Sequence, residues 1–198
     1  MTAPDVSRRP RSTVRLVLIS TMVSMSVALL VTWVFVVRPA ARDSATISPA
    51  DLVTKLETGV AKVGEPAPVV ELTTFDGTTV SSSTFIGKPT VINFWASTCV
   101  PCVTEMPMIE SVYNDLGDEV NFVGVDVFEA ASLGAEMIER TGVTYLQTRD
   151  ETHEVLGKFA GTAMPHTVVL DAEGRVTAMK SAALRDEAEL RAMIDDAR

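Results

Sequence analysis

Hydrophobic and polar positions divide the chain into one unbroken apolar block near its start and a longer region of short, punctuated patterns. Leu16 to Val37 runs for 22 residues without a charge. As a helix rising 1.5 Å per residue it reaches about 33 Å, enough to cross a hydrocarbon core of about 30 Å. Trp33 and Phe35 lie near its far end, where aromatic rings favour the membrane interface. Hydroxyls at Ser20, Thr21, Ser24, Ser26 and Thr32 can bond back to helix carbonyls. The pattern predicts an N-terminal segment over 1–15, a transmembrane helix over 16–37 and a partly helical linker over 38–63. A cleaved signal peptide is the rival reading. It calls for a shorter apolar stretch and a small-x-small site, whereas Arg38 and Pro39 follow this run directly. A buried core helix is the third reading.

Beyond Gly64-Glu65-Pro66 the punctuation becomes regular, and residues 64–198 are predicted to form one domain. Val69–Leu72 and Thr78–Val80 flank Asp76-Gly77, a hairpin signal. Thr90–Phe94 and Val120–Val127 read as buried strands, with a shorter one over Val143–Gln147. A helix is predicted from Cys99 to Leu116, where Val103, Met106, Ile109, Val112, Tyr113 and Leu116 form an apolar stripe. Pro107 should kink it. Further helices are expected over Ser132–Arg140, Glu151–Phe159 and Arg185–Ala197. A second hairpin joins Val168–Leu170 to Val176–Met179 through Asp171–Gly174. Strands alternating with helices, then a hairpin and a closing helix, predict an α/β fold: a mixed sheet covered on both faces.

Charge sharpens this layout. Of 17 bases and 26 acids, six and one lie in residues 1–42, so residues 43–198 hold 11 and 25, a net of −14. Four Arg precede the apolar run and two follow it, which places the N-terminus in the cytoplasm and the acidic domain outside. Such an acidic surface argues against nucleic acid as a partner. No phosphate-cradling or dinucleotide glycine loop is present, and no cofactor is implied.

The chemistry concentrates in two cysteines. Cys99-Val100-Pro101-Cys102 follows a strand and opens a helix. Unpaired N–H groups and the positive end of the helix dipole favour a thiolate there. Cys99 can attack a partner disulfide and Cys102, one turn on, can resolve the mixed disulfide. A redox dithiol leads; a metal site and an inert structural disulfide are the alternatives. Two cysteines without further ligands do not make a four-thiolate zinc site, and His153 and His166 lack finger spacing.

Asn93-Phe94-Trp95-Ala96-Ser97-Thr98-Cys99-Val100-Pro101-Cys102, followed by Glu105-Met106-Pro107, resembles the TlpA/ResA family of membrane-anchored thioredoxin-like oxidoreductases. The similarity spans about 64–198 and takes in Gly64–Pro68, Asp76-Gly77, Gly87-Lys88-Pro89 and Ala163-Met164-Pro165-His166. It implies a thioredoxin-like fold with an extra N-terminal hairpin and a central insertion. It also implies a cis Met164–Pro165 bond facing the dithiol, with Met164 and Pro165 offering backbone to an extended substrate segment. Trp95 is expected as core and site wall, bordering the substrate. Glu105 resembles the family's active-site glutamate, whose carboxylate raises thiol pKa values and can hand on a proton. The plainer reading is a solvated acid in a first helical turn. Asn93 stands where thioredoxin has a buried acid and cannot shuttle a proton. Thr98 replaces the Trp often found before the first cysteine, and Met106, Met108 and Met164 read as packing or partner-contact residues.

The resemblance implies an extracytoplasmic reductant acting on protein disulfides, of the kind found in apocytochrome c or copper-centre proteins, and recharged by a membrane thiol donor. A copper-delivery module built from Cys99, Cys102 and His166 is the alternative, since thiolates and imidazole suit copper. For His166 a satisfied core histidine is the plainer reading. Thiol peroxidase activity is a third reading.

Overall fold

The computed structural model describes residues 59–198. The expected membrane helix over 16–37, the 1–15 segment and most of the 38–63 linker lie outside the described residues. Among the described residues no helix is long and apolar enough to cross a membrane.

Seven strands form one mixed sheet: β1 (Glu71–Thr74), β2 (Thr79–Ser81), β3 (Thr90–Trp95), β4 (Asn121–Val127), β5 (Leu146–Asp150), β6 (His166–Leu170) and β7 (Val176–Lys180). Their order across the sheet is β2-β1-β5-β4-β3-β6-β7. The β3–β4 and β4–β5 pairs are parallel; the other neighbours are antiparallel. Among the described residues four α-helices complete the fold: α1 (Val100–Leu116), α2 (Ala131–Thr141), α3 (Glu154–Lys158) and α4 (Glu187–Asp195). The halves β3-α1-β4 and β6-β7-α4 make the expected thioredoxin-like core. The β1–β2 hairpin and an inserted α2–β5 unit meet each other at one side, where Thr73 and Thr74 pair with Arg149 and Thr148.

β3 is buried along its whole length, so both of its faces meet protein. Alternation sends Val91 and Trp95 into the core shared with α1 and α4, and Ile92 and Phe94 into the core beside Leu156 and Phe159. Asn93, between Val91 and Trp95, therefore points toward α1. α4 is closed at its start by Asp186, whose side chain accepts from the Glu189 N–H at 2.9 Å, while Glu189 accepts from the Arg185 N–H at 2.8 Å.

The differences from expectation have local causes. β5 lies three residues later than Val143–Gln147 because its buried polar residues find partners. Thr148 donates to the Gly124 carbonyl at 2.9 Å, and Asp150 accepts from the Leu156 N–H at 2.8 Å. α3 is shorter than Glu151–Phe159, bounded by left-handed backbone at His153 and Ala160. α1 continues through Pro107 as one helix. Packing also begins before residue 64: Ala61 is buried and donates its N–H to the Lys158 carbonyl at 2.7 Å.

Candidate active site

The ends of β3 and β4 and the start of β6 meet at one edge of the sheet, the place where α/β sheets assemble their reactive loops. Cys99 is the N-cap of α1, with extended backbone and Pro101 in the first turn, which needs no N–H donor there. Cys99 and Cys102 are joined as a disulfide with Cα atoms 5.3 Å apart. Cys99 Sγ accepts from the Cys102 N–H at 3.3 Å, so a backbone donor is already aimed at the sulfur. The two sulfurs differ in access. Cys99 is half-buried, whereas Cys102 is 0% exposed.

Glu105 is not a solvated acid; it is 4% exposed. The helix carries it one turn beyond Cys102, on the same side. Its Oε1 accepts from Asn93 Nδ2 at 2.9 Å and its Oε2 from the Leu184 N–H at 2.9 Å. Burial pushes its carboxyl above the ordinary range, opposed by the Leu184 and Asn93 hydrogen bonds and by the charge of Lys180. Asn93 Nδ2 also reaches Thr167 Oγ1 at 3.3 Å, while Asn93 Oδ1 is buried without a partner. The Asn93 amide can donate to the carboxylate; turned over, its oxygen can accept from the acid.

Replacing Glu105 with glutamine keeps one oxygen for the Leu184 N–H and forces Asn93 to turn over, which leaves its Nδ2 where Oδ1 now lies without a partner. Glu105→Gln is expected to cost about 1–2 kcal/mol at pH 7. Because burial raises the folded-state pKa of the wild-type group, its contribution is full below the unfolded carboxyl value of about 4 and is lost as pH rises through the higher folded-state value. Urea midpoints at pH 4.5 and 7.5 check this: the wild type should lose more between the two than the variant, and equal losses would refute the buried-acid assignment.

Trp95 takes the core-and-wall place expected of it, without the expected border on the substrate. It is 0% exposed, and its Nε1 donates to Gln147 Oε1 at 3.0 Å, so it is a wall beneath the cysteines that offers no surface to a partner. Gln147 reaches it across Gly124, where any Cβ would overlap the Gln147 amide. The Met164–Pro165 bond is cis. Pro165 is buried, and Met164 is half-buried against the same core cluster as Cys99.

His166 is a core histidine. Its Nδ1 pairs with Ser181 Oγ and its Nε2 with the Phe159 carbonyl, both at 2.9 Å, and burial lowers its pKa. With both ring nitrogens engaged inside the domain, it is not free to join the sulfurs around copper. His153 is exposed and its ring lies tilted against Phe128, with ring centroids 4.6 Å apart. Among the described residues no group of three or more His, Cys, Asp and Glu is placed to hold a metal ion.

A family model described as Redoxin matches residues 62–194. The chain belongs to the Redoxin family. Thiol-disulfide oxidoreductase ResA of Geobacillus kaustophilus is 32% identical over 121 residues, which cover 61% of this chain and 69% of that relative. A thiol:disulfide interchange protein of the thioredoxin family from Chlorobium tepidum matches with a TM-score of 0.61 at 28% identity, over 67% of this chain and 95% of that one. The MTB protein dsbF gives the same TM-score at 26% identity, over 65% and 95%. This redoxin is ResA-like, a thiol–disulfide oxidoreductase with a thioredoxin-like fold and a Cys99–Cys102 pair.

One feature of the redoxin escaped sequence reasoning altogether. Ser97, two residues before Cys99, is held by Glu129 from beyond β4. The signal was there as Asp126 and Glu129 ending a strand next to the cysteine loop, but pairing across that distance needs the sheet register.

Proposed function

We propose that this redoxin is a membrane-tethered, extracytoplasmic reductant of protein disulfides, with Cys99 attacking and Cys102 resolving. The observation that carries the order of attack is the unequal access of the two sulfurs. A substrate disulfide can reach Cys99 and cannot reach Cys102. The Cys99 thiolate attacks one substrate sulfur, forming a mixed disulfide and expelling the other substrate sulfur as a thiolate. The Cys102 thiolate then attacks Cys99 Sγ, closes the internal disulfide and releases the second substrate thiolate. Two electrons pass to the substrate, and a membrane thiol donor restores the dithiol. Met164 and Pro165 supply the platform along which an extended substrate segment lies.

Two opposed influences set the direction. The helix N-terminus favours the thiolate and so the reduced protein. The buried carboxyl of Glu105, once ionised, disfavours a nearby thiolate and so favours the closed disulfide, making the dithiol a stronger donor. Glu105 therefore favours the disulfide form of the pair and makes the dithiol the stronger reductant of its substrates. The apolar run over 16–37 with its flanking arginines supports a single membrane pass with the N-terminus inside. The family resemblance supports substrates of the apocytochrome c or copper-site type.

Expression of full-length Cys102→Ser in a host that supports disulfide exchange tests the reading. It should accumulate reductant-sensitive adducts through Cys99 in the membrane fraction, identifiable by mass spectrometry. Absence of Cys99-linked species would overturn it. Equilibration of the wild type with glutathione buffers tests direction, since a potential near the value of about −120 mV typical of a strong oxidant would reverse the assignment.

A further inference from the structure

The loop between β3 and α1 has a second anchor that the exchange chemistry leaves unused. Ser97 gives both of its donors to one side chain: its N–H donates to Glu129 Oε1 at 2.8 Å and its hydroxyl donates to Glu129 Oε2. The Glu129 carbonyl in turn accepts from an Arg149 Nη at 3.2 Å. Below this contact lies Asp126, which pairs in register with Trp95 on one side and Arg149 on the other. Asp126 is 2% exposed, and neither of its carboxyl oxygens has a hydrogen-bond partner among ordinary donors. Glu129 follows three residues later on the loop that leaves β4, and its negative charge is one of the influences that raise the Asp126 carboxyl. There is no slack above it, because a Cβ at Gly134 of α2 would overlap Asp126 Oδ2 and crowd the Phe75 ring.

A buried carboxyl without a partner, set beside a second carboxyl, has one economical state, in which it keeps its proton. The protonated acid becomes a donor, and the accepting carboxyl keeps lone pairs for its other partners. We propose that Glu129 is a positioning residue for the Cys99 loop, and that Asp126 carries a proton whose O–H donates to Glu129 and holds it against Ser97. The inference rests on Cys99 being the attacking sulfur, since its loop is what the anchor presents.

The groups facing Asp126 fit this assignment. Glu129 from the β4–α2 loop and Arg149 from β5 are charged; Trp95 from β3, Gly134 from α2 and Phe75 bring no ionisable group. Burial and Glu129 push the Asp126 carboxyl up to about 8, against the opposing pull of Arg149. Above that pH the donor is gone and two carboxylates repel, so Glu129 releases Ser97. Asparagine at 126 would supply a permanent N–H donor in nearly the same shape.

The test uses reduced full-length protein in detergent, read by Ser97 amide hydrogen exchange, by carbon-13 carboxyl shifts and by the Cys99 thiol titration. In the wild type, Ser97 protection should fall at least tenfold, beyond the intrinsic trend, as pH rises through about 8, and the Asp126 carboxyl should titrate in the same range. Glu129→Ala should lose that protection at every pH and shift the Cys99 titration. Asp126→Asn should keep both, with no alkaline limb. An Asp126 carboxyl titrating near 4 in the wild type, an Asn variant that behaves like Glu129→Ala, or Ser97 protection untouched by Glu129→Ala would each overturn the proposal. The carboxyl titration needs no variant to fold. Should the anchor behave as described while the wild type exchanges no disulfides, the loop assignment stands and the oxidoreductase reading of Cys99 fails.

Discussion

Replacing Cys99 with alanine is expected to abolish disulfide exchange, at least a thousandfold below the wild type, while leaving the domain folded. Cys99 sits at the N-cap, half-exposed at the border of the core, so its removal deletes less packing than the loss of a fully buried side chain. Cys102 cannot substitute, because it is sealed in the core beside Trp95 and Met106 and no external disulfide can approach in line with its sulfur. The reciprocal change, Cys102→Ala, deletes a buried group from that cluster and should cost stability as well as turnover. Insulin-reduction kinetics and circular dichroism on the two variants check the asymmetry. Equal residual activity in both would show that the sulfurs are interchangeable, contrary to their burial.

The second large effect concerns the polar pair under the cysteines. Asn93→Asp is expected to destabilise the domain by about 3 kcal/mol at pH 7, because it sets a second carboxylate against Glu105 in a site closed to water. Asn93 now donates to Glu105 across 2.9 Å; an aspartate there can donate only when protonated. The two acids must then share one proton, and the pair's folded-state affinity for it rises above the unfolded value. Stability is therefore full below about pH 4 and is lost as pH rises, so denaturant midpoints of variant and wild type should converge at low pH and diverge above about 5. A constant gap at all pH values would mean that packing, not charge, is responsible.

Much of this was readable before any coordinates. β3 announced itself as a β-branched and aromatic run, and the helix after it as an apolar stripe, because burial on both faces and on one face write different periods. The spacing of the two cysteines at a strand-to-helix junction pointed to the reactive pair. β5 begins three residues later than the predicted Val143–Gln147 strand because Thr148, Arg149 and Asp150 carry no apolar signal, and the burial of Thr148 and Asp150 is offset by hydrogen bonds to the Gly124 carbonyl and the Leu156 N–H. The same limit applied to Glu105: a glutamate in a helical turn looks solvated until the strand residue Asn93 and the Leu184 amide are seen closing around it. His166 was legible only as two alternatives, and the partners that decide between them, Ser181 and the Phe159 carbonyl, lie on other segments.

The outermost strands bear on how crowded copies of the molecule behave. β2 is three residues long, Thr79-Val80-Ser81, and offers a neighbouring chain too little backbone to recruit. At the opposite border the first residues of β7 are already occupied: the Val176 N–H donates to the Glu65 carbonyl at 3.0 Å, and Val176 in turn accepts from the Gly64 N–H at 2.8 Å. Inserting the α2–β5 unit widened the sheet, and the hairpin beyond it moved the open border onto a stub rimmed with hydroxyls. Edge-to-edge pairing between crowded copies is thereby disfavoured at the β2 border and at the start of β7.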